Sequence, residues 1–457
     1  MKKFLNISFM SLVALSSLSL GSCIHNEVDD IFDEDAVLRL ENAKAEYSDI
    51  LTSNGGKWQM EYYSNTSEPG YTYVLTFHKD GTVDMAGHNK WINYIKNNTL
   101  TASSFGTMRS MWDVIGDNGL VLTFNSYNDY FHLFASPDAI PTLGGTTTSG
   151  GGSTAGDGHQ GDYEFNLMKF SGDTVYMTGK KRDLSVILTR LPETTDDEAY
   201  LNEVALLNKN MFTSKLPYVY IVLPDGKRWI VKSASTGNMK IYPEGEDEVM
   251  TAEYHNFIIT HDGMAFRDPL VLEGNEGNSY TIQRFTRQAD GTALCVEDNK
   301  TLITADPLVD CLTNAMLTWK TTFKKDAVGG TYSTMATQIS AESKKLDNTT
   351  LKEALISYND TLSKYMLTLN FSKSSRSFPA RYLFTLTSNG GTQMNMTFDG
   401  VLDYGERYRN ACPTITSFLE ALAAGTLNLS SASLLAPTDI KMVESANAEN
   451  FIIWTLQ

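Results

Sequence analysis

The stretch Tyr71-Thr72-Tyr73-Val74-Leu75-Thr76-Phe77-His78-Lys79-Asp80-Gly81-Thr82-Val83-Asp84-Met85 joins two runs rich in aromatic and β-branched residues through an Asp-Gly pair. Such runs favour extended backbone, and the glycine supplies the positive φ that a tight hairpin turn requires. The spacing predicts an antiparallel hairpin. Immediately upstream, Gly55-Gly56-Lys57-Trp58-Gln59-Met60-Glu61-Tyr62-Tyr63 reads as the opening strand of the same sheet. Before it, Val37, Leu40, Ala43, Tyr47, Ile50 and Leu51 recur at spacings of three and four, which predicts an amphipathic helix over 35–52, stopped by Asn54-Gly55.

Downstream, residues 120–124, 130–134, 164–168, 174–177 and 184–188 read as further short strands, the pattern of an antiparallel barrel or sandwich. Residues 144–161, rich in Gly, Ser and Thr, read as a flexible insertion. Thr195-Asp196-Asp197-Glu198 has the form of a capping box and opens a second helix with Leu201, Val204, Ala205 and Leu207 on its apolar face. Strands at 218–222 and 228–231 meet across Pro224-Asp225-Gly226, and 257–260, 265–266, 270–272 and 280–282 continue that sheet. In the last third, Asp306-Pro307 predicts a helix whose stripe is Leu308, Leu312, Ala315, Met316 and Trp319. Gly329-Gly330-Thr331-Tyr332 follows, then a short helix capped by Thr350 and Glu353, a hairpin from 381–386 to 394–398, and a helix from Pro413 stopped by Gly425. Helix, Gly-Gly-x-aromatic and hairpin recur in the order seen at 36–85, which reads as a weak internal duplication. The expected fold is mainly β with a few helices, a β-rich α+β chain of antiparallel barrel or sandwich domains. The expected segments are 1–22, 23–35, 36–192, 193–305 and 306–457.

The 457 residues carry Lys+Arg 37 against Asp+Glu 54, a net charge of −17, which argues against a nucleic-acid partner. Hydrophobic content of 42% with 20% charged residues is that of a globular body, and the length asks for roughly two to four domains. Apart from Cys23, the cysteines are Cys295, Cys311 and Cys412, an odd set. A Cys295–Cys311 disulfide and three buried thiols are both open readings. No HExxH and no metal-binding pair of histidines occurs, so neither metal nor cofactor is expected.

At the N-terminus, Lys2 and Lys3 precede an apolar run over 4–20 and the small residues Gly21 and Ser22, the form of an export signal. Leu20-Gly21-Ser22-Cys23 resembles the lipobox of bacterial lipoproteins, which implies cleavage before Cys23 and lipidation of its sulfur. Residues 23–35 hold Glu27, Asp29, Asp30, Asp33, Glu34 and Asp35 and read as an acidic tether. Such an acidic patch resembles the surface-export signal of Bacteroidetes lipoproteins. Gly56-Lys57-Trp58 followed by the Asp80-Gly81 hairpin is similar to lipocalin-like bacterial lipoproteins. Taken with the lipobox and a multi-domain β body, the chain resembles uncharacterised surface lipoproteins of gut Bacteroidetes that carry a domain of unknown function. The resemblance implies an outer-membrane lipoprotein facing the cell surface, near nutrient-uptake proteins.

A Gly-x-Ser-x-Gly elbow is missing, and no residue is nominated as catalytic. Trp91, Trp112 and Trp229 lie near expected loops and are the candidates for stacking on a sugar ring. The leading expectation is a non-enzymatic binding protein whose partners are the membrane, through its lipid, and a glycan or outer-membrane uptake proteins. A lipocalin-like carrier of a small apolar ligand and a carboxylate-dependent hydrolase are the alternatives.

Overall fold

A computed structural model describes residues 35–66, 68–136, 159–211, 219–233 and 238–457. The export signal, Cys23, the tether up to Glu34 and the glycine-rich run 144–158 lie outside the described residues. Helix α1 (Ala36–Thr52) is capped by Asp35, whose carboxylate accepts from the Val37 N–H, as the expected acidic start requires. It leads into a closed barrel of β1 (Lys57–Tyr62), β2 (Tyr71–Phe77), β3 (Thr82–Asn89), β4 (Ser104–Gly116), β5 (Leu120–Phe124), β6 (Glu164–Ser171), β7 (Thr174–Gly179) and β8 (Ser185–Arg190). Helix α2 (Lys90–Asn97) joins β3 to β4, and the single turn α3 (His132–Ala135) follows β5. The barrel closes where Trp58 pairs with Arg190. The Trp58 ring N–H donates to the Leu51 carbonyl at the end of α1 (2.8 Å), and the Arg190 guanidinium lies 4.1 Å above the ring. Gly56, at φ 65°, leaves no room for a Cβ against the Phe77 carbonyl, so the Gly-Gly turn fixes where the strand begins.

Helix α4 (Asp197–Met211) then crosses to a nine-stranded sheet. Its strands are β9 (Val219–Val222), β10 (Arg228–Ser233), β11 (Met239–Pro243), β12 (Glu253–His255), β13 (Phe257–Thr260), β14 (Gly263–Glu273), β15 (Ser279–Arg287), β16 (Ala293–Cys295) and β17 (Leu302–Ala305), with the short α5 (Glu248–Thr251) before β12. Leu201 on α4 packs with Val74 and Ala86 on the outside of the first barrel, while Val204, Leu207 and Met211 enter the core of the middle sheet. One helix therefore belongs to two cores. The outer edge strand β13 is covered by the first barrel. Gly70 N–H donates to the Phe257 carbonyl and the Thr72 hydroxyl to that of Ile259, both at 2.7 Å, which satisfies an edge that would otherwise recruit other strands.

After α6 (Leu308–Leu312) comes a second closed barrel, β18 (Trp319–Thr321), β19 (Thr350–Asn359), β20 (Lys364–Lys373), β21 (Arg376–Ser388), β22 (Gln393–Asp403), β23 (Leu427–Ser430), β24 (Asp439–Glu444) and β25 (Asn447–Leu456). Helices α7 (Gly330–Asp347), α8 (Gly405–Ala411) and α9 (Thr414–Ala423) pack against it. The architecture is the expected mainly-β chain built on closed antiparallel barrels.

Several local expectations are corrected. Residues 130–134 form a turn and α3 instead of a strand. Asn128 accepts the Tyr130 N–H on its side chain (2.8 Å) and the Phe131 and His132 N–H groups on its carbonyl, an Asx turn that diverts the chain from extended geometry. The helix after Asp306-Pro307 stops at Leu312. Asn314 accepts the Met316 N–H (2.9 Å), Met316 is left 91% exposed, and Trp319 opens β18. Thr350 and Glu353 cap no helix but lie in β19, where Glu353 pairs with Lys320 at 3.0 Å. Gly329-Gly330-Thr331-Tyr332 leads into α7, whereas Gly55-Gly56-Lys57-Trp58 leads into β1, so the expected parallel of order differs at this step. The counterpart of Trp58 is Trp319, whose ring N–H donates to the Cys311 carbonyl of α6 (3.1 Å). Cys295, Cys311 and Cys412 are three separate buried thiols; burial pushes them up to about 12, about 12 and about 11.

Candidate functional site

The tryptophans nominated from sequence are not brought together. Trp91 is 1% exposed and its ring N–H donates to the Tyr71 hydroxyl (2.7 Å). Trp112, also buried, sits on β4 with its ring N–H on the Thr82 carbonyl (3.0 Å) and its ring edge-on to Phe77. These two rings are packed, so they present no open face for a sugar. They read as loop-side in the sequence because the polar residues of α2 and β4 break the apolar pattern of those elements. Trp229 on β10 is half-buried, with its N–H on the Glu273 carbonyl (3.2 Å) and the Lys227 ammonium 5.5 Å from its ring centre.

The interior of the first barrel is filled by its own rings. Phe131, beside α3, is fully buried, with ring centres of Tyr62, Tyr73, Phe124 and Phe165 at 5.3, 6.0, 4.5 and 5.8 Å. Each such ring contributes about 1.5–3 kcal/mol of burial. At one mouth lies a buried polar network. The Glu68 carboxylate accepts from the Tyr71 hydroxyl (2.8 Å) and the Asn65 amide (2.9 Å), and contacts His159 Nδ1. Asn256 of the middle sheet donates to the Glu68 carbonyl (2.6 Å). A buried carboxylate is tolerated only when its oxygens are satisfied, and this one is.

The arrangement that most resembles a ligand site lies outside the barrels. A cleft of about 570 Å³ opens between α4, two turns of the middle sheet and a loop of the second barrel. Leu206, Leu207 and Met211 come from α4, His261 from the β13–β14 turn, Arg287, Gly291 and Thr292 from the end of β15 and the turn after it, and residues 432–435 from the β23–β24 loop. Leu435 anchors that loop by burying itself in the middle-sheet core. Glu203 on α4 meets His261 Nε2 at 2.8 Å, Asp262 meets its Nδ1 at 3.2 Å, and Tyr200 stacks on the imidazole at 4.3 Å. The Arg287 side chain makes no hydrogen bond or ion pair among the described residues and stands at the rim. Apolar walls with a few convergent polar groups, at a junction of folded units, are the usual build of a small-molecule site. Nothing in the sequence marks it, because its walls come from segments more than two hundred residues apart. Among the described residues, no group of three His, Cys, Asp or Glu side chains could hold a metal ion.

No curated protein matches the chain. Residues 28–288 match the profile of a family described as a domain of unknown function, DUF4302. That span takes in the first barrel, α4 and the middle sheet through β15. Its interior seam is the two-pronged pair from Arg284 to Glu61, 2.9 Å on both arms. With more than half of its length matched, the chain belongs to the DUF4302 family.

Proposed function

We propose that this protein is a non-enzymatic lipoprotein, anchored through Cys23 to the outer membrane and facing the cell surface, that binds a glycan or another nutrient ligand for an uptake system. The cleft between α4, the middle sheet and the second barrel carries the binding part of this reading, through its volume of about 570 Å³ and its apolar walls rimmed by Glu203, His261 and Arg287. The address rests on Lys2, Lys3, the apolar run and Leu20-Gly21-Ser22-Cys23. A single acyl chain binds membranes marginally, so the multiply acylated cysteine of a lipoprotein suits stable anchoring. The closed, ring-filled interior of the first barrel favours an external site over a lipocalin-like interior one.

Thermal unfolding of the purified protein across a panel of oligosaccharides and amphiphiles tests the binding part. A true ligand raises the midpoint of the native chain and not that of Leu434→Trp, which fills the cleft. Stabilisation that persists in this variant would place binding elsewhere. Protease treatment of intact cells tests the address: survival of the protein while a known surface protein is cut would refute surface exposure.

A further inference from the structure

A second cleft, of about 270 Å³, lies where β2 and the β3–α2 junction of the first barrel meet α4 and β13. Its floor is apolar, from Val204, Phe257 and Ile259, and its rim carries His88, Lys90, Ser103 and Asn208. This is smaller than the roughly 300–1,000 Å³ of sites for drug-sized ligands, and it has room for one sugar ring.

Lys90 is the telling residue. In a chain of net charge −17, it makes no ion pair among the described residues, and its ammonium rests 4.8 Å from the Trp91 ring centre. The charge that bears on it is Glu68, but the Glu68 carboxylate is already held by Tyr71, Asn65 and His159. Burial pushes the Lys90 ammonium below the ordinary lysine value, and the Glu68 charge, already engaged elsewhere, offsets only part of that shift. Around it, His88 turns Nδ1 to the Asn202 side-chain oxygen (2.8 Å), and its Nε2 has no hydrogen-bond partner among the described residues. The side chains of Ser103 and Asn208 make no hydrogen bond among the described residues. One cation, three hydroxyl-recognising groups and an apolar floor match a ring that carries a carboxylate.

We infer that this cleft is a subsite for a sugar acid, with Lys90 binding the carboxylate, His88, Ser103 and Asn208 the hydroxyls, and Ile259 and Val204 facing the ring. The inference does not depend on the larger cleft, and either can fail alone.

Isothermal titration of the full chain with D-glucuronate, a glucuronate-terminated disaccharide and D-glucose tests it. Binding of the free acid or of the disaccharide is expected, with glucose weaker by about tenfold or more, the value of a hydrogen bond to a charged group. Lys90→Met should weaken uronate binding by a similar factor and Lys90→Arg should largely keep it. Asn208→Trp, a change on the exposed side of α4, should block the cleft without touching the core and decides the matter if Lys90→Met misfolds. Uronate binding that survives Asn208→Trp, or no uronate binding at all, overturns the proposal.

Discussion

The two barrels share a plan and differ in what they bury. Each begins with a strand whose tryptophan hangs from the carbonyl of the preceding helix, Trp58 on Leu51 and Trp319 on Cys311, and each closes its first strand on its last. The first is plugged by aromatic rings around α3, whereas the second packs against α7, α8 and α9, with Phe418 edge-on to Tyr332 at 5.6 Å. Among the described residues, the buried carboxylate and imidazole side chains Glu61, Glu68, His159 and Asp162 all belong to the first barrel and its mouth; the second buries no acidic or basic side chain, only groups such as Thr321, Ser343 and Asn450. Buried charge is costly unless paired. In the first barrel its partners include Arg284 of the middle sheet, so part of that cost is met by joining two units. The second barrel meets the middle sheet through an apolar plug, Leu435. The family profile covers the charged seam and ends before the second barrel.

The comparison can be broken by substitution. The largest effect should come from the plugs: Phe131→Ala and Phe418→Ala should each cost about 3–5 kcal/mol in denaturant unfolding, and a loss under about 1 kcal/mol at Phe131 would show that its ring does not hold the barrel. Next, Arg284→Ala strands Glu61, 5% exposed, without its counter-ion. About 3 kcal/mol is expected, the low end for a broken buried pair because the guanidinium is partly open to water. No single change in the second barrel should uncouple units in this way.

Smaller effects sharpen the likeness. Trp58→Phe and Trp319→Phe each orphan a buried helix carbonyl and should cost about 1–3 kcal/mol apiece; a cost at only one of them would end the parallel. The smallest effect is in pH. Burial raises the Asp162 carboxyl above its ordinary value despite the N–H groups of Arg182 and Lys181. The native state then holds that proton more tightly than the unfolded chain, so this group's contribution falls as pH rises from the ordinary carboxylate value through the raised one. Asp399 of the second barrel is lowered by the Thr385 hydroxyl and Lys364, so its contribution is present above the ordinary value and lost as pH falls through the depressed one. Urea midpoints across the acid range should therefore shift in opposite directions for Asp162→Asn and Asp399→Asn; a common sign would contradict the assignment.

Local chemistry made part of this fold legible. The Asp80-Gly81 turn, the C-terminal half of the α1 stripe and the Gly-Gly-x-Trp opening are signals carried within a few residues, and the structure bears them out, whereas Val37 at the start of the expected stripe is 67% exposed. The plan that the two barrels share is legible in the sequence only in outline. Its true landmark, a tryptophan hydrogen-bonded to the preceding helix, depends on a contact across seven or eight residues that no periodicity encodes. Helix α7 is hard to read from sequence because its Ser and Thr residues dilute the apolar stripe, and β4 because Gly106 and Ser110 on its buried face and Met111 on its exposed one break the alternation. The cleft was illegible for a different reason. Arg287 and Leu434 look like ordinary turn and loop residues until the middle sheet and second barrel are brought together.

The most direct test of the binding site is a fluorescence titration with 1-anilinonaphthalene-8-sulfonate, an apolar ring system bearing one anion, as the cleft's apolar walls and Arg287 require. The native chain should show one saturable site, weakened by about tenfold or more in both Arg287→Ala and Leu434→Trp. Titrations that superimpose on the native curve in both variants, or a native curve that never saturates, would contradict the account.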